Sequence, residues 1–178
     1  MLPANAIICN GAGNFAGWWH RYWHYEGYPS QLAPTAGAMG YGLPAAIDAA
    51  LRHPERCVVV AAGDGDILMN GQELATAAQI GASLLVILFD NSAYGTIRMH
   101  QEREFPGRVS STALANPDFV RLAESFGGWA RRVETTEQFA DALSEAASRP
   151  GIRLLHCVTD VEQLSAAGAT ISGLRPGH

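Results

Sequence analysis

The sequence has no long apolar run and no cluster of basic residues. Its longest apolar stretches, CVVVAA and LLVILF, are of strand length, whereas a membrane-spanning helix needs about 20 apolar residues. Charged residues make up 16% of the chain, and the net charge is −5. We therefore expect neither a membrane nor a nucleic acid among its partners.

Cysteine is also scarce. The three cysteines, Cys9, Cys57 and Cys157, lie in or beside predicted strands, and no two are close in sequence. This pattern indicates reduced core thiols rather than a metal site or disulfides. The first residues, MLPANAIICNGAG, lack the basic start and the apolar length of a signal peptide. We therefore expect a cytoplasmic protein.

What the chain does have is enough apolar material for one core. It contains 178 residues, of which 48% are hydrophobic, and neither an internal repeat nor a low-complexity linker divides it. A chain of this size and composition predicts one globular domain over residues 1–178.

Continuous apolar runs predict strands that are buried on both faces, as in a parallel sheet. These runs cover residues 6–9, 57–62, 84–89 and 152–158, with a weaker edge strand at 129–133. Helical patterns lie between them at 42–53, 70–81, 116–127 and 135–148, and the chain is irregular from about Glu162. This alternation predicts an α/β fold with three layers, in which helices cover both faces of a mostly parallel sheet.

Two of these helices carry sequence signals for their first residues. Asn116 precedes Pro117 and is expected to cap the third helix. Thr135 and Gln138 have the spacing of a capping box at the start of the fourth.

Residues 18–40 form an aromatic-rich segment that fits neither periodicity. It holds three Trp, three Tyr and two His. Such a segment can be a surface that becomes buried against another domain or subunit, or an aromatic ligand pocket. The residues leave both interpretations open.

Polar residues follow two neighbouring predicted strands. Asp64 and Asp66 flank Gly65 after the run 57–62, and Asn91 follows the run 84–89. Both groups should emerge at the carboxyl edge of the sheet, where α/β proteins bind ligands. A Gly-rich turn suits a phosphate, and a bound Mg2+ would reconcile a phosphate with carboxylates because Mg2+ prefers oxygen ligands.

Other interpretations of these residues remain open. Polar residues at strand ends often only cap turns. Three interpretations of Asp66 are open. It offers only its backbone N–H to the ligand, its carboxylate points into solvent, or its carboxylate caps the next helix.

Longer segments around these residues resemble a known family. The stretch GDGDILMNGQELATAAQIGASLLVILFDNSAYG is similar to the cofactor motif of thiamine diphosphate-dependent enzymes, which is GDG, some two dozen residues, then NN. Upstream, PTAGAMGYGLPAAIDAAL resembles the acetolactate synthase and 2-oxo acid decarboxylase branch. The resemblance covers roughly residues 6–160. It implies the diphosphate-binding domain, which is normally the C-terminal part of a longer enzyme.

The resemblance implies a metal site and a diphosphate site. Asp64, the Asn91 side chain and the Ala93 carbonyl would hold Mg2+. The residues that would surround the diphosphate are Gly63, Gly65, Asp66, Tyr94 and Gly95, with Gly65 and Asp66 donating backbone N–H groups.

It also implies contacts with the rest of thiamine diphosphate. The Gly37 carbonyl would accept a hydrogen bond from the aminopyrimidine, and Met39 would hold the cofactor bent. Asn14 would approach the cofactor as well. Without the flanking GAMGYG, Met39 would be interpreted as an ordinary core methionine.

The sequence departs from the family pattern at several positions. Asp90 replaces the usual first Asn of the pair, a difference we expect to be minor, and Asp66 replaces a small or hydroxyl residue. Acetolactate synthases tend to carry a Trp that lines the substrate entry at about the place of His100, and this chain has Arg98 and His100 in that region. They suggest an anionic or larger substrate, or else a solvated helix face.

No catalytic residue is expected in this chain. In the family, a Glu from a pyrimidine-binding domain activates the cofactor, and Glu73 is better explained as structural. The resemblance implies such a domain in the same chain or in a partner subunit, a homodimer or homotetramer, and a small 2-oxo acid as substrate. The chain alone would then be inactive, and an FAD in the full-length protein would lie outside this domain.

Two other functions compete with this one. Gly11, Gly13 and Ala16 match the G-x-G-x-x-G/A fingerprint of dinucleotide-binding domains, but Glu26 does not end a second apolar run. A non-catalytic domain that kept the fold is the other candidate, against which the retained Asp64 and Asn91 argue.

Overall fold

The computed structural model describes residues 2–175, and a parallel sheet of six strands lies at the centre of this part of the chain. The strands are β1 (Ile7–Asn10), β2 (Gln31–Leu32), β3 (Val58–Gly63), β4 (Leu84–Asp90), β5 (Trp129–Val133) and β6 (Ile152–Val158). Their order across the sheet is β2-β1-β3-β4-β6-β5. The predicted parallel sheet is confirmed, and β5 is the edge strand that the sequence predicted.

Helices connect these strands. They are α1 (Ala16–Tyr22), α2 (Gly42–Arg52), α3 (Asp64–Ile67), α4 (Leu74–Ile80), α5 (Gly95–Glu104), α6 (Phe119–Ser125) and α7 (Thr136–Ala147), with 3-10 turns at Gly71–Glu73 and Ser172–Leu174. In the described part of the chain, no helix combines the length and the apolar character needed to cross a membrane.

Alternate residues of each strand face opposite helical layers. In β3, Val58, Val60 and Ala62 pack with α2, α4 and α6, whereas Val59 and Ala61 pack with α7 and the aromatic side of α1. Because both faces are covered, all six residues of β3 are buried. The predicted three-layer α/β fold is confirmed.

The predicted start of the third helix is wrong. Helix α6 begins at Phe119, and its N-cap is Asp118, whose carboxylate accepts hydrogen bonds from the N–H groups of Val120 and Arg121. Asp118 has an extended backbone, so the helix cannot start earlier. Asn116 lies outside the helix, and its side chain bonds to other residues.

Two further helix signals also led to inexact predictions. Thr135 makes no side-chain capping bond, and Gln138 accepts from the N–H of Glu134 at 2.9 Å instead of that of Thr135. The predicted helix 70–81 divides into a 3-10 turn and α4, which ends at Gly81 with a φ of 68°. A left-handed residue there is a common way to terminate a helix.

The aromatic segment 18–40 is only partly packed. Trp19 and Trp23 lie against the α7 side of the core, whereas Tyr22 is 67% and Tyr28 97% exposed. The segment therefore contributes to this domain and also presents aromatic surface. Its role as an interface stays a prediction.

The three cysteines are free thiols. Burial raises the pKa of Cys9 and of Cys157 to about 12. These thiols are therefore protonated at neutral pH and act as apolar core groups, as the sequence predicted.

The first turn of α2 lies directly against the end of β1. A Cβ atom added to Gly42 would lie 2.9 Å from the Gly11 nitrogen and 3.1 Å from the Asn10 carbonyl carbon. Both are backbone atoms, which cannot rotate away as a side chain would. The absence of a side chain at Gly42 therefore sets how closely α2 packs on the sheet.

We expect Gly42→Ala to lower the free energy of unfolding by about 1–3 kcal/mol, the usual range for overpacking. Gly17→Ala is the matched control, because Gly17 lies in α1 with no atom within 4 Å of the added Cβ. That change should stabilise the chain by up to about 1 kcal/mol through helix propensity. Urea unfolding of both variants tests the pair, and equal effects would contradict the close packing of α2.

Candidate functional site

A cavity of about 810 Å3 opens beyond the carboxyl ends of β1, β3 and β4. Its size lies in the usual range for small-molecule sites. Every residue that the sequence assigned to the cofactor or the metal lines it: Asn14, Gly37, Met39, Gly63, Asp64, Gly65, Asp66, Asn91, Ala93, Tyr94 and Gly95. They meet because β1, β3 and β4 are neighbours in the sheet, so their final residues reach the same edge.

Asp66 connects the loops that form this cavity. It is 3% exposed, and its Oδ1 accepts hydrogen bonds from the N–H of Ala12 at 3.1 Å and of Gly40 at 2.8 Å. The expectations that its carboxylate faces solvent or caps a helix are therefore wrong. Ala12 follows β1, Gly40 precedes α2 and Asp66 itself follows β3. The Asp66 side chain therefore connects these three segments through hydrogen bonds.

Gly11 and Gly13 make room for side chains of this chain. A Cβ on Gly11 would lie 2.0 Å from the Asp66 carboxylate, and one on Gly13 would lie 2.7 Å from the Phe15 ring. Glu26 is exposed, and β2, the strand after α1, has two residues. The glycine spacing is thus explained by local packing, and the dinucleotide fingerprint loses its support.

Asp64 and Asp90 share one amide donor. Asn116 donates through Nδ2 to Asp64 Oδ2 at 2.7 Å and to Asp90 Oδ1 at 2.8 Å. Burial raises the pKa of Asp64, the negative charge of Asp90 raises it further, and the bonds from Asn116 and Gly65 only partly oppose this. No cationic side chain among residues 2–175 forms an ion pair with Asp64. A bound cation would relieve this unfavourable charge.

Asp90 has a different environment from Asp64. Its Oδ2 lies 2.7 Å from His156 Nε2, and Oδ1 accepts from the N–H of Ser92 at 2.9 Å. Burial acts to raise the pKa of Asp90, but the bonds from His156 and Ser92 outweigh it and hold the pKa below its ordinary value. The presence of Asp instead of Asn at position 90 was expected to be minor. The Asp90 carboxylate instead binds Ser92, Asn116 and His156.

Residues 91–94 form a tight loop at the end of β4. Asn91 Oδ1 accepts from the N–H of Ala93 at 3.1 Å, and Ser92 has a φ of 54°. The loop is held from outside, since the Tyr94 N–H donates to the Thr112 carbonyl and Ser92 accepts from Leu114. This arrangement fixes the direction of the loop's carbonyl and amide oxygens.

The donors at this end of the cavity suit a hard cation. Asp64 offers a carboxylate, Asn91 an amide oxygen and Ala93 a carbonyl, and all three residues line the same cavity. Among residues 2–175, no cluster of three or more His, Cys, Asp or Glu side chains forms a metal site. An oxygen set with a single carboxylate fits Mg2+, which keeps part of its water and also binds phosphate oxygens.

Two glycines let side chains close over this end. A Cβ on Gly65 would lie 2.6 Å from the Tyr94 ring, and one on Gly95 would lie 2.9 Å from Asn91 Nδ2. Tyr94 therefore lies directly over the Gly65 backbone. Larger residues at either position would displace a cavity wall.

The loop before α2 forms another part of the cavity wall. Gly37 and Gly40 have φ values of 65° and 84°, which favour glycine. Met39 lies between them, half-buried on the cavity wall and not in the core. Asn14 reaches the cavity from the loop after β1, and its side chain is held by Thr96 Oγ1 at 3.0 Å.

Arg98 does not face the cavity. It is 9% exposed and forms an ion pair with Glu102 at 2.9 Å, and Glu102 also binds Arg175 at 2.7 Å. The suggestion that Arg98 selects an anionic substrate is therefore not supported, and neither is a solvated position for Arg98. His100 is exposed, as on a solvated helix face, and does not line the cavity.

Two side chains of the site, Asn116 and His156, were not predicted from the sequence. Asn116 was assigned to a helix cap because it precedes Pro117. His156 did leave a signal, since a polar residue inside a strand buried on both faces requires a hydrogen-bond partner. The sequence alone does not say that the partner is Asp90.

The buried Asp66 predicts a specific pH dependence of stability. Burial raises the pKa of Asp66, although bonds from Gly40, Ala12 and Gly63 act in the opposite direction. Its contribution to stability is therefore complete below the unfolded pKa of about 3.9 and is lost as the pH rises through the folded pKa. Asp66→Asn keeps an oxygen acceptor and removes this titration.

We therefore expect the unfolding free energy of the unmodified chain, minus that of Asp66→Asn, to fall as the pH rises from about 4 towards neutral. Urea unfolding of both proteins across this range, without Mg2+, measures the difference. Parallel curves would contradict a raised pKa at Asp66.

Comparisons with known proteins identify the family to which the chain belongs. A match to the family described as "Thiamine pyrophosphate enzyme, C-terminal TPP binding domain" spans residues 11–157. The chain is 33% identical over 160 residues to the acetolactate synthase isozyme 2 large subunit of Escherichia coli, which covers 89% of this chain and 29% of that protein. It is 42% identical over 114 residues to the acetolactate synthase large subunit of Haemophilus influenzae, covering 64% of this chain and 20% of that protein.

A solved structure shares the fold. The thiamine diphosphate-dependent 4-hydroxybenzoylformate decarboxylase of Rhodococcus jostii superposes with a TM-score of 0.80 at 29% identity, covering 89% of this chain and 30% of that one. The chain thus spans less than a third of the length of each of these relatives. By its sequence, its fold and the residues that line its cavity, the chain belongs to the C-terminal thiamine diphosphate-binding domains of thiamine diphosphate-dependent enzymes.

Proposed function

We propose that the cavity at the sheet edge binds the diphosphate of thiamine diphosphate through Mg2+. The observation that carries this proposal is that three residues with oxygen donors, Asp64, Asn91 and Ala93, line the same cavity. Asp64 is buried without a cationic partner among the described residues, which favours a metal ion beside it. The Mg2+ would neutralise both this carboxylate and the diphosphate.

The neighbouring residues would bind the diphosphate itself. Gly65 and Asp66 would donate backbone N–H groups, since the Asp66 carboxylate is already engaged by Ala12 and Gly40. Gly63, Tyr94 and Gly95 would form the walls of this end of the cavity.

The part of the cavity wall formed by Gly37, Met39 and Asn14 would hold the aminopyrimidine. We propose that the Gly37 carbonyl accepts its hydrogen bond, that Met39 supports the bent cofactor, and that Asn14 approaches it from the loop after β1. The half-buried position of Met39 on the cavity wall suits this role. When bound, thiamine diphosphate supplies an electron sink for making or breaking the carbon–carbon bond next to a carbonyl.

The activity would belong to a longer protein. We infer that residues 1–178 are the diphosphate-binding domain of an enzyme that decarboxylates a small 2-oxo acid or joins it to a second carbonyl compound. The names of the relatives support this, since they include acetolactate synthases and a 4-hydroxybenzoylformate decarboxylase.

A second domain would complete the active site. Glu73 is hydrogen-bonded to Thr76 and does not line the cavity, so the activating Glu would come from a pyrimidine-binding domain in the same chain or in a partner subunit. The chain alone would then be inactive. We further propose a cytoplasmic homodimer or homotetramer, in which any FAD lies outside this domain.

Asn91→Ala should weaken Mg2+-dependent binding of thiamine diphosphate by at least about tenfold, because it removes a metal ligand. Calorimetric titration of thiamine diphosphate, with and without Mg2+, measures this affinity. The control is Asn5→Ala, at an exposed position outside the cavity. An unchanged affinity in Asn91→Ala would overturn the metal assignment.

A further inference from the structure

A connected group of side chains lies behind the proposed metal site, on the side of α6. It consists of Asp90, Asn116 and His156, with Phe119 packed beside them and Asp64 at the front. The proposed function uses Asp64 alone. The contacts of the other residues account for the orientation of that carboxylate.

Asp90 uses both of its oxygens within the protein. Oδ1 accepts from Asn116 Nδ2 at 2.8 Å, from the Ser92 N–H at 2.9 Å and from Ser92 Oγ at 3.2 Å. Oδ2 lies 2.7 Å from His156 Nε2. Four donors therefore surround a group that only accepts, and Asp90 retains little capacity to bind a metal ion.

These donors explain why an acid stands at this position. Both oxygens of an acid can accept from these donors. An Asn side chain at position 90 would place an NH2 group at one of the two oxygen positions, and His156 Nε2 could accept from it only in the other tautomer of the imidazole. Asp90 is thus matched to the residues around it, and its difference from the usual Asn of the family is tied to Asn116 and His156.

Asn116 can adopt only one useful orientation. Its two N–H bonds go to two carboxylates, Asp64 and Asp90, and its Oδ1 is buried without a hydrogen-bond partner among residues 2–175. A flipped amide would point its oxygen at both carboxylates, which is strongly unfavourable. Because one amide group binds both carboxylates, the position of Asp90 restrains the position of Asp64 through Asn116.

The sheet and α6 hold His156 in place. His156 pairs with Leu88 across β4 and β6, so its side chain is on the same face as Asp90, two residues further along β4. The Phe119 ring meets the His156 ring edge-on, with centroids 5.2 Å apart. His156 is 3% exposed and is fixed by packing on one side and by Asp90 on the other.

We propose that Asp90 and His156 are positioning residues, which hold Asn116 so that the Asp64 carboxylate keeps one oxygen directed at the cation. Asn116 donates to Asp64 Oδ2. Within the described chain, it is the one side chain that donates a hydrogen bond to this carboxylate. The inference rests on the proposed function, because it assigns the residues that orient its metal ligand.

The test is a calorimetric titration of Mg2+ into the full chain in the presence of thiamine diphosphate. Asn116→Leu, which removes both N–H groups at similar volume, should weaken Mg2+ binding by about 10- to 100-fold, the range for residues that orient metal ligands. His156→Leu should weaken it by about tenfold. His156→Gln, which retains a side-chain N–H for Asp90, should remain within about threefold of the unmodified chain.

The matched control is Asp118→Ala. Asp118 caps α6 two residues after Asn116 and touches neither Asp64 nor Asp90. This variant should lower the free energy of unfolding and leave the Mg2+ affinity unchanged. Urea unfolding without Mg2+ in all variants separates a loss of stability from a loss of binding.

Each outcome decides between the two proposals. If the unmodified chain shows no Mg2+-dependent binding, or if Asn91→Ala binds as well as it, the proposed function fails and this inference fails with it. If Asn91→Ala loses binding while Asn116→Leu and His156→Leu stay within twofold, only the positioning role is overturned. Equal losses in His156→Leu and His156→Gln would also overturn it, because the N–H donor would then be irrelevant.

Discussion

The buried carboxylate of Asp66 is the interaction on which the rest of the site depends. Through a single oxygen it binds the N–H groups of Ala12 and Gly40, and so joins the segments after β1, before α2 and after β3. A buried charge is tolerated only where donors are oriented towards it. The same requirement explains why Gly11 has no side chain, since any Cβ would occupy the space of this carboxylate. The shape of the cavity therefore follows from one set of hydrogen bonds.

Asp64, Asp66 and Asp90 lie at the ends of β3 and β4, and their surroundings give them different properties. Asp66 and Asp90 are engaged by protein donors from several segments, whereas Asp64 has Asn116 as its side-chain donor and the charge of Asp90 nearby. Burial makes the charged forms of both Asp64 and Asp66 costly, but only Asp64 also has the negative charge of Asp90 nearby, which is the situation that a cation corrects. The chemistry of the site thus depends less on the number of carboxylates than on which of them the protein leaves incompletely bonded.

The remaining cavity wall bears on substrate choice. Phe15, Trp18, Ile97 and Leu164 contribute apolar surface, and the wall includes residues after β6, such as Thr159 and Asp160. Arg98, one of the two residues from which the sequence suggested an anionic or larger substrate, is instead buried in an ion pair with Glu102. A buried Arg that is already paired with a carboxylate is a poor anion receptor, because binding an anion would compete with that pair. Within the described chain, selectivity would therefore depend on the shape of an apolar wall and on the domain that completes the site.

The sequence by itself determined the parallel sheet, the three layers and the strand-end position of Asp64, Asp66 and Asn91, because continuous apolar runs and the polar residues that follow them are local features along the chain. The other residues that line the cavity were implied by the resemblance to a known family. The sequence did not determine how side chains from distant segments pair. Asn116 was assigned to a helix cap, the side chain of Asp66 had no definite partner, and Asp90 was expected to matter little. Each of these depends on which strands are adjacent: β6 next to β4 brings His156 to Asp90, and the loop before α6 brings Asn116 to Asp64. Only the tertiary structure decided these contacts, because hydrogen bonds between residues 26 to 66 positions apart are set by strand order and register, which a single sequence does not specify.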